Sequence, residues 1–232
     1  MSERRFAEHA NSAQLARAVA DDVIAILSVA IARRGEALMF VPGGSTPRAS
    51  FELLAEAGLD WPQVTIFPGD ERVAPPESRL SNFMAVRSAF AASGAKLHPL
   101  AKESADCELA AAEAEDRLRW LPWPPDLVWL GLGEDGHVAS IFPGECGAVA
   151  IDTDRRAACV LPDPLPPGAP VARVTLTLPA ILSARTILIA GTGQAKKALL
   201  EGRGPAAGGT ALPVHQLLER AAQPVFVHWS PT

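Results

Sequence analysis

The sequence has no apolar run long enough to cross a membrane. Its first apolar stretch, Val23 to Ala32, is too short, because a membrane-spanning helix needs about 20 apolar residues. The N-terminal segment carries two arginines but has no apolar core behind them, unlike a secretory signal peptide. We therefore expect a soluble, cytoplasmic protein that has no membrane partner.

An excess of positive charge is also missing. The chain contains 21 Lys and Arg residues against 26 Asp and Glu residues, which gives a formal net charge of −5 at pH 7. Domains that bind nucleic acid usually carry a basic surface. The composition therefore predicts no nucleic-acid partner, although a local basic pocket can still hold a small anion.

Cysteine is scarce, with three residues in the whole chain. Cys107, Cys146 and Cys159 are odd in number, widely spaced and without a CxxC pair. This pattern fits a reducing compartment better than a disulfide framework. We therefore predict that the three cysteines are packing residues.

Several signatures of catalysis and cofactor binding are absent. The chain contains neither GxGxxG nor GxxxxGKS, so a bound nucleotide is not indicated. It has no GxSxG motif, so a serine hydrolase mechanism has no support. The five histidines show no HExxH or other close ligand spacing. We expect no metal site and no cofactor.

The chain does have the size and pattern of one compact enzyme domain. With 232 residues, 48% of them hydrophobic, residues 1–232 can bury a sizeable core. Short apolar segments, typical of buried strands, alternate along the chain with segments whose apolar residues recur at helical spacing. The alternation predicts an α/β fold with a mostly parallel, open twisted sheet and helices on both faces, of the Rossmann-like type. The predicted strands are Ala37–Val41, Val64–Phe67, Leu127–Leu132, Val174–Leu178, Thr186–Ala190 and Val225–His228. The predicted helices begin near Ser12, Phe83, Ser104, Gln194 and Pro213, and another follows Pro47.

The most informative segment is residues 127–144, LVWLGLGEDGHVASIFPG. A buried strand ends there in an acidic turn that carries His137, at the sheet edge where open α/β proteins bind ligands. A neutral imidazole at that edge can act as a general base, with Asp135 or Glu134 orienting it. The alternative interpretation is a histidine that only caps a turn.

A glycine turn follows the first predicted strand. In Pro42–Pro47, the backbone N–H groups of Gly43 and Gly44 can converge on an anion, and Ser45 can add a hydroxyl donor. Thr46 is placed to cap the helix that follows. An ordinary tight turn between a strand and a helix explains these residues equally well, since short glycine motifs are unspecific.

Charged residues follow the second predicted strand and the later glycine turn at 191–193. Arg72 can bind phosphate with its planar guanidinium, and Asp70 can orient it or contact sugar hydroxyls. A solvated loop is the commoner outcome for a charged triplet such as Asp-Glu-Arg at 70–72. Ser81 and Asn82 fit the N-cap of the next helix.

Lys196 lies in the first turn of the helix that follows the glycine turn at 191–193. A cation at the positive end of a helix needs either an anion nearby or solvation by water.

Together these segments resemble the 6-phosphogluconolactonase family, within the wider group that includes glucosamine-6-phosphate deaminase and isomerase. The matching motifs, in family order, are PGGSTP at 42–47, DER and SN within 70–82, GLGEDGHVASIFPG at 131–144, RVTLTLP at 173–179 and GTGQAKKALL at 191–200. The motif around His137 is specific to this family, whereas the GGSTP turn alone also occurs in unrelated proteins.

The resemblance implies hydrolysis of 6-phosphogluconolactone to 6-phosphogluconate in the oxidative pentose phosphate pathway. The implied partner is a small phosphorylated sugar lactone, and we expect a monomer or a weak homo-oligomer. By motif position, His137 is the base that activates water and Asp135 supports it. The implied phosphate and sugar pocket contains Gly43, Gly44, Ser45, Asp70, Arg72 and Lys196.

Two positions depart from the family pattern. Leu165 stands where family members often carry lysine, and Leu182 stands where asparagine is frequent. A glucosamine-6-phosphate deaminase or isomerase is the nearest alternative, but it typically has an aromatic residue where Arg72 stands and a different sequence at 138–141. A non-catalytic sugar-phosphate sensor is the other alternative. Such a sensor would lose the base, whereas His137 is present.

Overall fold

The computed structural model describes residues 4–75, 77–101, 106–167, 169–202 and 211–232. Its strands are β1 (Arg4–Glu8), β2 (Ala37–Val41), β3 (Val64–Pro68), β4 (Asp70–Arg72), β5 (Lys96–Leu97), β6 (Leu127–Gly131), β7 (Ala157–Val160), β8 (Arg173–Leu176), β9 (Ile187–Thr192) and β10 (Val225–Ser230). Its helices are α1 (Ser12–Arg34), α2 (Arg48–Ala55), α3 (Asn82–Phe90), α4 (Cys107–Arg119), α5 (Glu145–Ala148), α6 (Leu178–Leu182), α7 (Gln194–Leu200) and α8 (Pro213–Arg220). A 3₁₀ turn covers Trp61–Gln63.

Seven strands form an open sheet in the order β1-β10-β9-β6-β2-β3-β5. Every pairing within this sheet is parallel. The predicted α/β class with a mostly parallel sheet is therefore confirmed.

The central strand β2 shows why both faces of the sheet carry helices. All five of its residues are buried. Alternate side chains of a strand point to opposite faces, and here Leu38 and Phe40 join one apolar cluster whereas Met39 and Val41 join the other. Helices α1 to α3 supply the second cluster, and α4 and α6 to α8 supply the first. The sheet is thus covered on both faces, as predicted.

Helix α1 has the ends that its sequence predicts. The side chain of Asn11 accepts a hydrogen bond from the backbone of Gln14 at 3.0 Å, as an N-cap does. Gly35 ends the helix in the left-handed conformation with φ of 77°, which glycine adopts at little cost. Helix α2 differs from its prediction, because it begins at Arg48 with Pro47 as the N-cap residue and Thr46 does not cap it.

A second, smaller sheet was not predicted. Strands β4, β8 and β7 pair antiparallel in the order β4-β8-β7. Strand β4 is only three residues long and charged, so neither length nor apolar alternation marks it as a strand. A solvated loop was the commoner expectation for these charged residues, whereas pairing with the distant β8 holds them in a strand.

The expectation for the cysteines is wrong for two of them. Cys107 of α4 and Cys159 of β7 form a disulfide, with their Cα atoms 5.5 Å apart, while Cys146 is free and partly buried. Helix α4 packs on β7 and brings together residues that are 52 positions apart. Sequence spacing gives no sign of such a long-range pairing.

Thiol counting tests this pairing. Denatured without a reductant, the purified chain should expose one reactive thiol, that of Cys146, and after reduction it should expose three. Titration with a chromogenic thiol reagent gives both numbers. Three thiols before reduction would show that the Cys107–Cys159 bond does not form.

Among the residues that the structure describes, no helix combines the length and apolar character needed to cross a membrane.

Candidate active site

A cleft of about 280 Å³ opens where β2, β6 and β9 end. The carboxyl ends of parallel strands are the usual ligand-binding edge of an open α/β sheet. Seven of the residues predicted to form the site line this cleft: Gly43, Gly44, Ser45, Asp70, Arg72, His137 and Lys196. The remaining one, Asp135, lies beside His137. The fold therefore brings together segments that are far apart in the sequence.

The ring of His137 is oriented by Asp135. Its Nδ1 atom lies 2.6 Å from Oδ1 of Asp135, and the backbone N–H of His137 donates to the same oxygen at 3.1 Å. A hydrogen bond at Nδ1 holds the proton of a neutral imidazole on that nitrogen and leaves Nε2 as the proton acceptor. The side chain of His137 is 32% exposed, so solvent reaches the ring. This arrangement leaves a ring nitrogen that is chemically able to accept a proton from water.

The charge of Asp135 is stabilised by the same contacts. Partial burial acts to raise the pKa of Asp135, but the hydrogen bonds and charge of His137 outweigh it and bring the pKa below its usual value. Asp135 is therefore a carboxylate at neutral pH. It can support positive charge on the imidazole when His137 takes up a proton.

Gly133 allows the close packing of this turn. A Cβ atom at Gly133 would lie 2.2 Å from Nδ1 of His137 and 2.5 Å from Oδ1 of Asp135, so any side chain would displace the pair. The backbone N–H of Gly133 also donates to the carbonyl of His137 at 3.0 Å. The ring of Phe142 contacts the imidazole, with centroids 4.8 Å apart. The turn thus fixes the histidine through backbone and side-chain contacts.

Glu71 is buried and holds the start of α3. Its carboxylate accepts backbone N–H bonds from Arg72 at 2.9 Å, Asn82 at 2.7 Å and Phe83 at 2.8 Å, and the hydroxyl of Ser81 donates to it at 3.1 Å. Burial raises the pKa of Glu71 above its usual value, and the three backbone N–H donors oppose that rise. The triplet at 70–72 is therefore part of the folded framework rather than a solvated loop.

Arg72 presents a positive charge to the cleft. Its guanidinium donates to the carbonyl of Leu80 at 2.9 Å and to the side-chain oxygen of Asn82, and both acceptors are uncharged. Arg173 is buried nearby, and burial together with the charge of Arg72 lowers the pKa of Arg173. Because the acceptors at Arg72 do not neutralise it, its charge remains for an anionic ligand.

Asp70 connects the histidine turn with the arginine segment. One of its carboxylate oxygens accepts the hydroxyl of Ser140, three residues after His137, and the other accepts the amide of Asn82 at 3.2 Å. The backbone N–H of Ser140 donates to the hydroxyl of Thr175 in β8 at 3.1 Å. Asp70 therefore lines the cleft as a linking residue, with each oxygen held by a protein donor.

The two adjacent lysines of α7 have different surroundings. Lys196 lines the cleft, and its side chain crosses Gly191, where a Cβ atom would lie 3.3 Å from the lysine Cδ. Lys197 instead pairs with Glu8 at 2.7 Å and lies over the ring of Trp229. Lys196 is thus the lysine placed to meet a ligand.

The sequence analysis did not predict that Asn82 lines the cleft or that Ser140 holds Asp70, which lines it. Asn82 was assigned to a helix cap, although the SN motif was its signal, and Ser140 sits in the motif of His137. Leu165 and Leu182, the two departures from the family pattern, are not among the described residues that line the cleft. Leu165 is 43% exposed and Leu182 packs against the core.

Comparison with known proteins identifies the family of the chain. Residues 10–226 match the family model described as glucosamine-6-phosphate isomerases/6-phosphogluconolactonase. The chain is 37% identical to the 6-phosphogluconolactonase of Rhizobium meliloti strain 1021, over 95% of this chain and 96% of that protein. It is 35% identical to the 6-phosphogluconolactonase of Pseudomonas aeruginosa strain PAO1, over 95% and 92% of the two chains.

Solved structures of similar proteins share the fold of this chain. The crystal structure of a 6-phosphogluconolactonase from Shewanella baltica OS155 superposes with a TM-score of 0.89 at 32% identity, and 98% of each chain is covered. A monomeric glucosamine-6-phosphate deaminase shares the fold, with a TM-score of 0.78 at 18% identity. On its motifs, fold and sequence similarity, the chain belongs to the family of glucosamine-6-phosphate isomerases and 6-phosphogluconolactonases.

Proposed function

We propose that this protein hydrolyses 6-phosphoglucono-1,5-lactone to 6-phosphogluconate, as the named function of its relatives indicates. The observation that carries the proposal is a histidine oriented by a carboxylate in the same cleft as an arginine and a lysine. A base for water and cations for a phosphate are the two components that this reaction requires. The cleft is close to the lower size limit of small-molecule pockets, roughly 300 Å³.

The base acts on water in the first step. Nε2 of His137 accepts a proton as the water oxygen attacks the lactone carbonyl carbon, which gives a tetrahedral intermediate and an imidazolium. Asp135 stabilises that imidazolium through the 2.6 Å contact at Nδ1. Collapse of the intermediate breaks the bond to the ring oxygen. The imidazolium then returns its proton to that oxygen, which becomes the hydroxyl of the open-chain acid.

A lactone ester is reactive enough for this simple machinery. General base catalysis by a positioned side chain typically contributes about 10² to 10⁴-fold. Holding the ring in one orientation supplies a further part of the rate, because the attack then needs no search for alignment. No covalent intermediate on the protein is required.

The phosphate supplies that orientation in our proposal. Arg72 and Lys196 bind the phosphate oxygens, with Gly43, Gly44 and Ser45 donating from the turn after β2. The phosphate is remote from the lactone carbonyl, so its binding energy fixes the substrate without taking part in bond breaking. Asp70 contributes by holding its neighbours, since both of its oxygens already accept protein hydrogen bonds.

We place the reaction in the cytoplasm. A charged sugar phosphate does not cross a bilayer unaided, because burying its charge in hydrocarbon is costly. The enzyme therefore has to share the compartment in which the lactone forms. Fractionation of cells followed by detection of the chain in the soluble fraction tests this placement.

Turnover of two substrates tests the proposal. Purified protein is mixed with freshly generated 6-phosphogluconolactone, and acid release is compared with spontaneous hydrolysis. A parallel reaction with glucosamine 6-phosphate is assayed for ammonia. Acid release without ammonia supports the lactonase, ammonia supports a deaminase, and binding without turnover of either supports a sensor.

The pH dependence of the rate should identify the base. A base that is already protonated cannot accept a proton from water, so kcat should fall on acidification. The pKa of Asp135 lies below its usual value, so this carboxylate keeps its charge in mildly acidic solution. The first loss of rate on acidification should therefore not come from Asp135.

The variant Asp135→Asn provides the matched measurement. It keeps an oxygen that can accept from Nδ1 but removes the negative charge that favours the imidazolium. We expect kcat to fall in this variant, because the imidazolium formed during the reaction loses the charge that stabilises it. A rate that acidification leaves unchanged, or a kcat that Asp135→Asn leaves unchanged, would contradict the assignment of His137 and its partner.

A further inference from the structure

Asn82 has an unusually constrained environment at the start of α3. The residue is 2% exposed. Its side-chain nitrogen donates to the backbone carbonyl of Asp70 at 2.8 Å and to the carboxylate of Asp70 at 3.2 Å. Its side-chain oxygen accepts from the guanidinium of Arg72. Both ends of the amide are therefore engaged, and reversing it would place donor against donor.

The same amide packs directly on the turn after β2. A Cβ atom at Gly43 would lie 1.9 Å from Oδ1 of Asn82 and 2.2 Å from its Cγ. Glycine at position 43 is thus what allows the amide to reach Arg72. Asn82 consequently touches two segments of the cleft wall, namely the glycine turn at Gly43 and strand β4, where it contacts both Asp70 and Arg72.

Arg72 depends on such support for its orientation. Apart from Asn82, its guanidinium is held by the carbonyl of Leu80 at 2.9 Å, and its Nε atom is buried without a partner among the described residues. The charge of Arg173 acts on it as well, and like charges repel. Losing the amide oxygen would leave one neutral acceptor to hold the guanidinium against that repulsion.

The neutrality of the amide is as important as its position. A carboxylate at position 82 would also accept from Arg72, but it would pair with the charge that an anion has to meet. It would in addition lie against the carboxylate of Asp70, only 3.2 Å from the present amide nitrogen. An amide fixes the arginine and leaves its charge available.

We propose that Asn82 is a positioning residue that sets the specificity of the cleft for phosphorylated ligands. It acts through Arg72, whose guanidinium it orients, and through Gly43, against which it packs. This inference rests on the proposed function only in taking the anionic group to be the phosphate of a sugar.

The test measures affinity for the product 6-phosphogluconate by titration calorimetry on Asn82→Ala. A guanidinium that the amide no longer orients should lose contact with the phosphate, and loss of one such charged hydrogen bond corresponds to roughly tenfold or more in affinity. We expect a weakening of at least about that size. Asn82→Asp should weaken binding as well, because it neutralises Arg72. Should Asn82→Ala not fold, Asn82→Ser withdraws the amide and keeps a polar group at the start of α3.

Ser81→Ala is the matched control. Ser81 is the N-cap of the same helix, where its hydroxyl accepts from the backbone of Met84 at 3.3 Å, and it does not line the cleft among the described residues. This variant should lower the melting temperature, since an N-cap is lost, and leave the dissociation constant for 6-phosphogluconate unchanged. An equal loss of affinity in Ser81→Ala would reduce the role of Asn82 to helix stability and overturn the inference.

A double-mutant cycle with Arg72→Ala shows whether Asn82 acts through the arginine. Independent losses add in free energy within about 0.5 kcal/mol, which is about twofold in affinity. We expect the double variant to bind 6-phosphogluconate within about twofold of Arg72→Ala alone. Full multiplication of the two losses, or no loss in Arg72→Ala, would overturn the inference.

A second readout separates this result from the proposed function. The ratio of kcat/KM for the phosphorylated lactone to that for glucono-1,5-lactone should fall in Asn82→Ala and Arg72→Ala and stay constant in Ser81→Ala. If the parent protein hydrolyses neither lactone, the proposed function fails, whereas the calorimetric comparison still decides the role of Asn82.

Discussion

Replacing His137 by alanine should lower kcat for 6-phosphogluconolactone by about 10² to 10⁴-fold, the usual contribution of a general base. The KM and the dissociation constant for 6-phosphogluconate should change little, because phosphate binding is assigned to other residues. The fold should persist, since the turn is held by backbone hydrogen bonds such as that from Gly133 to the carbonyl of His137. Initial rates measured over a range of lactone concentrations separate the two constants.

The variant His137→Asn is a stricter form of this experiment. Its shorter amide can still reach toward Asp135, but it has no nitrogen that takes up a proton near neutral pH. It should therefore be as inactive as His137→Ala and melt close to the parent. A folded His137 variant that hydrolyses the lactone at the parental rate would remove His137 from the mechanism.

Replacing Arg72 or Lys196 by alanine should mainly weaken capture of the phosphorylated substrate. Each variant loses hydrogen bonds between charged groups, which are worth about 1.5 to 3 kcal/mol, or roughly tenfold to a hundredfold in binding. The effect should appear as a raised KM and as weaker inhibition by inorganic phosphate. Hydrolysis of an unphosphorylated lactone should change much less.

Lys197→Ala is the matched control for this pair of variants. Lys197 adjoins Lys196 in α7 but pairs with Glu8 and Trp229, so its loss removes the same charge from the protein without removing one from the cleft. Its affinity for 6-phosphogluconate should equal that of the parent. Equal losses in Lys196→Ala and Lys197→Ala would point to general electrostatic attraction, and no loss in Arg72→Ala or Lys196→Ala would move the phosphate site elsewhere.

Much of the parallel sheet could be predicted from the sequence, because its signals are local. The long α1 has a helical apolar pattern with an Asn11 cap and Gly35 at its end, and β2 is a short apolar run before a glycine turn. The small antiparallel sheet could not be predicted in the same way. Its strand β4 is charged, and its burial depends on pairing with β8, about a hundred residues further on.

The same distinction between local signals and long-range contacts applies to the candidate site. His137, the glycine turn and Lys196 stand in recognisable motifs, and the structure places all of them in one cleft. The links between them were not predictable, because the contact of Ser140 with Asp70 spans 70 positions. The disulfide between Cys107 and Cys159 was missed for the same reason. Such contacts follow from packing and leave no periodic trace in the sequence.

The most direct test of the account is the rate of acid release from freshly generated 6-phosphogluconolactone, measured side by side for the parent protein, His137→Asn and buffer alone. The account predicts rapid release by the parent, with His137→Asn reduced by about 10² to 10⁴-fold toward the spontaneous rate. Release by the parent at the same rate as buffer, or equal release by the parent and a folded His137→Asn, would contradict it.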